Sequence, residues 1–462
     1  MLRYLRRPPL FYKRLFLLAL PLILQNLITT SLGFVDTFMV GLLGDTQLSA
    51  VTAANAPIFL VQVIIFGLMS GLTILVSQFW GKADMHAINR CMGIAMYAGF
   101  TIAACAAAVL FFFPEAVLSM VTDNALLITE GTPYLRIVGI SYIFNAVSSV
   151  YVSMQRSAEN PLFGMLVFAT SMLLNTFLNY CFIFGNFGAP ALGVTGAAIA
   201  TLTSRIVEFL IVVVYALRSR RVPLMPRALF CPGRATVRIY VKYATPVLIN
   251  ETFWGLGTTM MTVIMGHMAI SADMLAAYAI MGNIDKFSTV SCFGLAGATA
   301  VIIGKRIGEG ASKDEVYDLS WCLLLVALGL GILIGGVLAV TLPTLFIPYL
   351  YPLFSLSPTA TEAAATMCVV YLLTMPLKSF DISNITGVLR AGGDATMASI
   401  IDLVPLWCAA VPLAALAALV LDAPMIFVCL GLYAENFFKC PWGIIRLRSR
   451  KWINDVTRGL DL

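Results

Sequence analysis

Asp36 stands in Gly33-Phe-Val-Asp-Thr-Phe-Met-Val-Gly41, with no basic residue within one helical turn. An acid kept in an apolar segment with nothing local to neutralise it can hold a proton, a cation or neither in turn; the other reading is a structural ion pair with a distant segment. Asn175 and Asn179 are one turn apart on a shared helix face and offer carbonyl oxygens to a cation or to a protonated Asp36. Hydrogen bonding between helices serves those asparagines equally well. In the second half, Glu251 follows Asn250 and precedes Trp254, an acid and an aromatic that suit an organic cation through charge and cation–π attraction. A packing Trp beside a protonated structural Glu fits the same residues. Three spacings look self-neutralising: Arg205 with Glu208, Lys378 with Asp381, and Glu435 with Lys439. The Lys378–Asp381 stretch is unusually polar, flanked by Pro376, Ser379, Ser383 and Asn384, so both residues are candidates for a transport site. Asp285 and Lys286 are adjacent and point differently, so Lys286 needs a partner on another segment.

The elements that carry these residues are apolar runs. Of 462 residues, 60% are hydrophobic and 11% charged. The runs reach the roughly 20 residues a helix needs to cross hydrocarbon, and the alternation of a barrel is absent. They predict an all-α polytopic membrane protein with twelve spans: 15–43, 50–79, 87–113, 134–157, 161–184, 194–217, 240–266, 274–304, 319–346, 363–391, 395–421 and 423–447. Basic residues fall in every second connection, among them Lys82 and Arg90, Arg156, the run Arg218 to Lys242, Lys305 and Arg306, and Arg390. The alternate connections, 44–49, 114–133, 185–193, 267–273, 347–362 and 422, hold no Lys or Arg. That alternation puts both termini on the cytoplasmic side of a plasma (inner) membrane and assigns the net charge of +6 to topology, not to nucleic acid. Arg3 to Arg14 interleave with Leu, Tyr and Phe, as in an amphipathic segment on the inner leaflet; the first apolar run is too long for a cleaved signal. Ten cysteines without CxxC spacing and two histidines give no disulfide framework and no metal site. No soluble segment is long enough for a catalytic domain and no catalytic motif appears, so no enzyme is expected.

The chain also repeats itself. Pro21 to Gly41 matches Pro246 to Gly266 in spacing, with Leu-Ile-Leu-Gln-Asn26 answering Val-Leu-Ile-Asn-Glu251. Arg156-Ser-Ala-Glu-Asn160 answers Arg390-Ala-Gly-Gly-Asp394, and Leu217-Arg-Ser-Arg220 answers Leu447-Arg-Ser-Arg450. Parallel repeats of six spans follow: a lobe over 1–217, a basic Pro-containing linker over 218–238 and a lobe over 239–462, with a substrate path between lobes.

Taken together, Pro21 with Gly33-Phe-Val-Asp-Thr, Gln78-Phe-Trp-Gly-Lys, Asn175 to Gly185, Gly304-Lys-Arg-Ile-Gly and Gly387-Val-Leu-Arg-Ala-Gly-Gly-Asp resemble the multidrug and toxin extrusion (MATE) family, part of a larger group that includes lipid-linked oligosaccharide flippases. The resemblance implies two six-helix lobes and efflux of mostly cationic, amphipathic small organic compounds, coupled to Na+ or H+ with no other cofactor. It implies that Asp36 matches the family's functional first-helix aspartate and Asn175 its fifth-helix asparagine, with Asn179 where one proton-linked branch has an aspartate. Glu251 and Asp381 resemble acids of the Na+-linked branch. The expected partners are small organic substrates and the bilayer, and the chain is expected to act as a monomer. The rival is a flippase for a lipid-linked saccharide, whose phosphates Lys286, Lys378 and Arg205 would face.

Overall fold

The computed structural model describes residues 2–458 apart from 269, 354, 355 and 422, so the expected connection at Asp422 and the terminus after Arg458 lie outside the described residues. Hydrocarbon offers a peptide group no water, and a crossing chain must close its backbone hydrogen bonds on itself. Every regular element among the described residues is accordingly helical. The long ones are α1 (Pro9–Gly41), α2 (Asp45–Gly81), α3 (Met85–Phe112), α4 (Ala125–Ser157), α5 (Pro161–Phe184), α6 (Gly193–Arg218) and α7 (Arg234–Gly266). After them come α8 (Ser271–Gly308), α9 (Lys313–Leu350), α10 (Pro358–Leu389) and α11 (Ala395–Val420), then α12 (Met425–Leu432) and α13 (Glu435–Ser449).

Ten of these, α1–α6 and α8–α11, are long and apolar enough to span a membrane. The other two expected passages are helical but more polar. Asn250, Glu251 and several threonines dilute α7. The twelfth passage breaks at Tyr433 and Ala434 into α12 and the charged α13. In the second half the helices also open into wide turns, over Leu342–Leu350, Ser383–Leu389, Leu406–Ala410 and Leu416–Val420. Pro343, Pro348, Pro405 and Pro412 lie in or beside two of them, where a missing N–H and a bulky ring displace the preceding carbonyls.

The chain forms two compact units, Met1–Ile23 with Ile249–Val456 and Leu24–Leu248 with Thr457–Leu462. It passes between them within α1 and within α7, each time two residues beyond a repeat proline, Pro21 or Pro246. In the first unit the start of α1 is held by packing. Ile23 lies so close to Gly294 that a Cβ there would sit 2.8 Å from the Ile23 backbone, and Tyr4 stacks on Trp321 with ring centroids 6.1 Å apart. In the other unit the start of α7 does the corresponding job: the Tyr240 hydroxyl donates to the Leu68 carbonyl at 2.7 Å, and Ala244 fits against Gly71.

The basic linker is clasped onto α3 and the α4–α5 turn. Asn89, fully buried, donates through Nδ2 to the Pro223 carbonyl at 3.1 Å and accepts from the Met225 amide at 3.1 Å. Arg221 donates to the Ala158 carbonyl at 2.9 Å and the Glu159 carbonyl at 3.0 Å. A short helix, Pro226–Phe230, brings the Leu229 carbonyl to Gly93, where a Cβ would come within 2.1 Å of its oxygen. Gly93→Val must therefore push the linker off α3. Overpacking of this kind costs about 1–3 kcal/mol, and trypsin added to membranes should cut between Arg218 and Arg234 several-fold faster than in the wild type. An unchanged cleavage rate would show that this clasp does not hold the linker.

Candidate functional site

The apolar stripe of α5 is interrupted by Asn175 and Asn179, which 3.6-residue periodicity stacks on one face, and both are buried. The second half of α1 brings Asp36 against them. Asn179 donates through Nδ2 to Asp36 Oδ1 at 2.6 Å and to Asn175 Oδ1 at 3.1 Å, which uses both hydrogens of its amide. Asn175 in turn donates to the hydroxyls of Thr201 at 3.3 Å and Ser204 at 3.5 Å on α6. One N–H of Asn179 thus points at the carboxylate, while its other N–H and those of Asn175 run away from it toward α6. The carbonyl Oδ1 of Asn179 is buried and takes no hydrogen bond. A carboxylate answered by a neutral amide, whose own oxygen is buried and unused, is suited to take up a proton or a small cation. Among the described residues Asp36 forms no ion pair; Arg205, whose charge reaches it, is bonded to Glu208 at 2.7 Å.

Expected spacings were realised at two of three places. Arg205 meets Glu208, and Lys439 meets Glu435 at 2.8 Å. Lys378 does not meet Asp381. Its ammonium is bonded to Asp285 on α8 and lies over the Tyr371 ring, 5.1 Å from the centroid. Asp381 is instead buried within electrostatic reach of a set formed by Lys439, Asp402 and Glu435, and neither of its oxygens takes a hydrogen bond among the described residues. In that set Lys439 also bonds Asp402 at 2.7 Å, and Asn250 donates to the other Asp402 oxygen at 2.9 Å. Glu251 is seated on the Arg390 guanidinium at 2.9 Å, so its charge is already matched. Trp254 is exposed and is not drawn into that pair, and Lys286 is exposed with no ion-pair partner among the described residues. The carboxylate expected on another segment for Lys286 is not found among the described residues, and its neighbour Asp285 is the one that pairs, with Lys378.

Two further polar residues of the interior, Asp402 and Arg156, are not singled out by spacing along the chain. Asp402 is the one acid in its apolar run, and the cost of a charge in hydrocarbon marks it as readily as Asp36. Arg156 was taken for a loop residue of the positive-inside pattern. It lies in the last turn of α4 and lines a cavity of about 420 Å3 together with Arg205, Asn26, Gln62 and Phe168.

The family described as MatE matches the chain twice, over residues 21–181 and 246–416, each match opening on a repeat proline. A Bacillus subtilis protein described as the uncharacterized transporter YisQ is 25% identical over 95% of this chain and 94% of its own length. The probable multidrug resistance protein NorM of Thermotoga maritima is 25% identical over 96% of this chain and 94% of its own. Among solved structures, an outward-facing multidrug resistance MATE family transporter of the MOP superfamily aligns with a TM-score of 0.85 at 18% identity, covering 97% of this chain and 98% of that one. A MOP superfamily transporter from Pyrococcus furiosus, described as having a binding pocket of reverse polarity, aligns at 0.84 with the same identity and coverage.

The buried charges differ sharply in what their loss should do. Lys439 is 5% exposed and answers two carboxylates, so Lys439→Met strands both; breaking a buried pair from one side costs about 3–5 kcal/mol. Lys378 and Asp285 are 21% and 35% exposed, and water covers part of the loss in Lys378→Met. Thermal unfolding of the purified protein in detergent should show a much larger drop for Lys439→Met, recovered in part by adding Asp402→Asn and Glu435→Gln. Equal drops would contradict the assignment of Lys439 as the keystone of that set.

Proposed function

This chain belongs to the MATE family, a family of multi-pass membrane transporters for multidrug efflux, and on that footing we propose that it exports small organic compounds by secondary antiport against an inward Na+ or H+ gradient. The observation that carries the reading is the Asp36–Asn179–Asn175 chain. A carboxylate answered only by neutral donors, beside an unused acceptor, changes its charge when an ion or proton arrives. Charge that depends on the ion is what coupling requires, since a ligand shifts a transporter between states only by binding them unequally. Substrates are cationic or amphipathic compounds that compete with the ion for the field of Asp36.

In this reading the repeats over 1–217 and 239–462, joined by the linker over 218–238, act as two lobes that alternate access to opposite faces of a plasma membrane, with both termini cytoplasmic and a single chain as the working unit. The compact units depart from these lobes at the first helix of each repeat, since the chain up to Ile23 joins Ile249–Val456 and α7 up to Leu248 joins the other unit; Pro21 and Pro246, which cannot donate a backbone bond, mark those two changes and support bending there as access alternates. Asn175 and Asn179 hold Asp36 in place. Glu251, Asp381 and Lys378 are assigned supporting roles in the other unit, and Trp254 and Lys286 lie outside its charged set. A lipid-linked sugar flippase is supported less well: two of the three cations that would face its phosphates, Arg205 and Lys378, are already bonded to Glu208 and Asp285.

Reconstitution tests the proposal. Liposomes containing the wild type should take up a fluorescent organic cation faster when a Na+ or pH gradient is imposed. Asp36→Asn removes the titrating group, and Asn179→Ala removes one hydrogen bond to a charged group, about 1.5–3 kcal/mol. The first should abolish the gradient effect and the second weaken it roughly tenfold or more. Full gradient dependence in Asp36→Asn would sink the proposal.

A further inference from the structure

Counting along the repeats shows that their charges have been exchanged. Five residues after Pro246 stands Glu251, and five after Pro21 stands Asn26. Eight residues after Asp394 stands Asp402, and eight after Asn160 stands Phe168. Twelve before Leu447 stands Glu435, and twelve before Leu217 stands Arg205. At these three positions the carboxylate of the second repeat is replaced by a neutral or positive side chain in the first, while Arg390 is kept as Arg156. All three replacements, Asn26, Phe168 and Arg205, line the one cavity that Arg156 also lines.

The second repeat shows what belongs on that arginine. There Arg390, 3% exposed, holds the Glu251 carboxylate at 2.9 Å. In the first repeat Arg156 forms no ion pair among the described residues: it donates to the hydroxyls of Thr73 at 3.3 Å and Ser153 at 3.2 Å, and its Nε is buried without a partner among them. Arg205 is offset by Glu208, so the cavity keeps one unmatched positive charge. Gln25 adds a buried carbonyl oxygen with no hydrogen bond, and Phe66, Met69 and Phe168 add apolar wall. A volume of about 420 Å3 is that of a small-molecule site.

We infer that this cavity binds the carboxylate of an amphipathic organic compound, with the ligand's carboxylate on Arg156 in the seat that Glu251 fills on Arg390. One unmatched charge suits a single monoanionic group and not a diphosphate. Apolar walls take the body of the ligand, and the neutral amides of Asn26 and Gln25 take polar groups beside the carboxylate. The inference rests on the efflux reading only in treating the ligand as cargo; binding itself needs no gradient.

A matched pair of dyes tests it: rhodamine B, which carries a free carboxylate, and its methyl ester, which does not. Fluorescence anisotropy with purified protein in phosphatidylcholine nanodiscs should show the free acid binding about tenfold more tightly than the ester, the ratio expected from a charged hydrogen bond worth at least about 1.4 kcal/mol. Arg156→Gln should bring that ratio close to one. Asn26→Glu, which installs the carboxylate of the other repeat, should do the same without removing the arginine, and so covers the case in which Arg156→Gln fails to fold. Equal binding of acid and ester by the wild type would overturn the inference, as would an unchanged ratio in Asn26→Glu. Phosphatidylglycerol nanodiscs distinguish the other source of a monoanion: protection of Arg156 by that lipid with no preference for the free acid would make this a headgroup seat and reject the cargo site. Loss of gradient-driven uptake with the dye ratio intact would strike the efflux reading alone.

Discussion

In hydrocarbon a charge without a counter-charge is among the most expensive groups a chain can keep, and the polar interior of this protein is arranged around that constraint. Lys439 is shared by Asp402 and Glu435, Arg390 is closed by Glu251, Lys378 by Asp285, and Arg205 by Glu208. Lys378–Asp285, Arg390–Glu251 and Lys439–Asp402 join separate segments that apolar packing alone would leave free to slide, so these charges fix register as well as neutralising each other, whereas Arg205–Glu208 and Lys439–Glu435 neutralise charge within one helix. Among the described residues of the polar interior, Asp36, Asp381 and Arg156 have no matching charge bonded to them. A stable fold gains nothing from leaving them so. Their retention makes sense where a mobile ion, a proton or a ligand completes them.

The backbone shows a comparable division of labour. Most helices belong wholly to one compact unit, whereas α1 and α7 change unit just past Pro21 and Pro246. The same two prolines open the two stretches that match the MatE family. Small residues make the close packing on either side possible, Gly294 beneath Ile23 and Gly71 beneath Ala244. Asp36 lies on α1 beyond the proline, so the residue assigned to coupling and the backbone discontinuity share one helix. The linker, by contrast, is fastened along its length to α3 and the α4–α5 turn through Asn89, Arg221 and Leu229.

How much of this was legible in the sequence follows from the range over which each effect acts. Runs of apolar residues and the alternation of basic loops depend on the bilayer alone, and they placed the helices well; the polar α7 and the broken α12–α13 passage were legible through loop charge and not through hydropathy. Short-range spacing found Arg205–Glu208 and Glu435–Lys439 because both pairs lie on one turn of one helix. The same rule failed for Lys378 because a carboxylate from α8 reaches it, and no count along α10 reveals a neighbour on another helix. Arg156 was hidden by a rule that works: a basic residue near a helix end is ordinarily a topology signal, and only the side chain's place in a cavity gives it a second role. Asp402 needed no structure at all, since a lone acid in an apolar run already marks itself. The exchange of charges between repeats was also written in the sequence, but it acquires meaning only when Asn26, Phe168 and Arg205 prove to share a wall.

The central claim is that Asp36 is the group for which ion and substrate compete. Equilibrium binding of a fluorescent organic cation to the purified protein, measured at stepped pH and at stepped Na+ concentration without any membrane gradient, addresses it most directly. In the wild type, rising H+ or Na+ should weaken binding of the cation competitively, and Asp36→Asn should remove that dependence while the protein still folds. Competition of undiminished strength in Asp36→Asn would contradict the claim and move coupling to the Asp381 set.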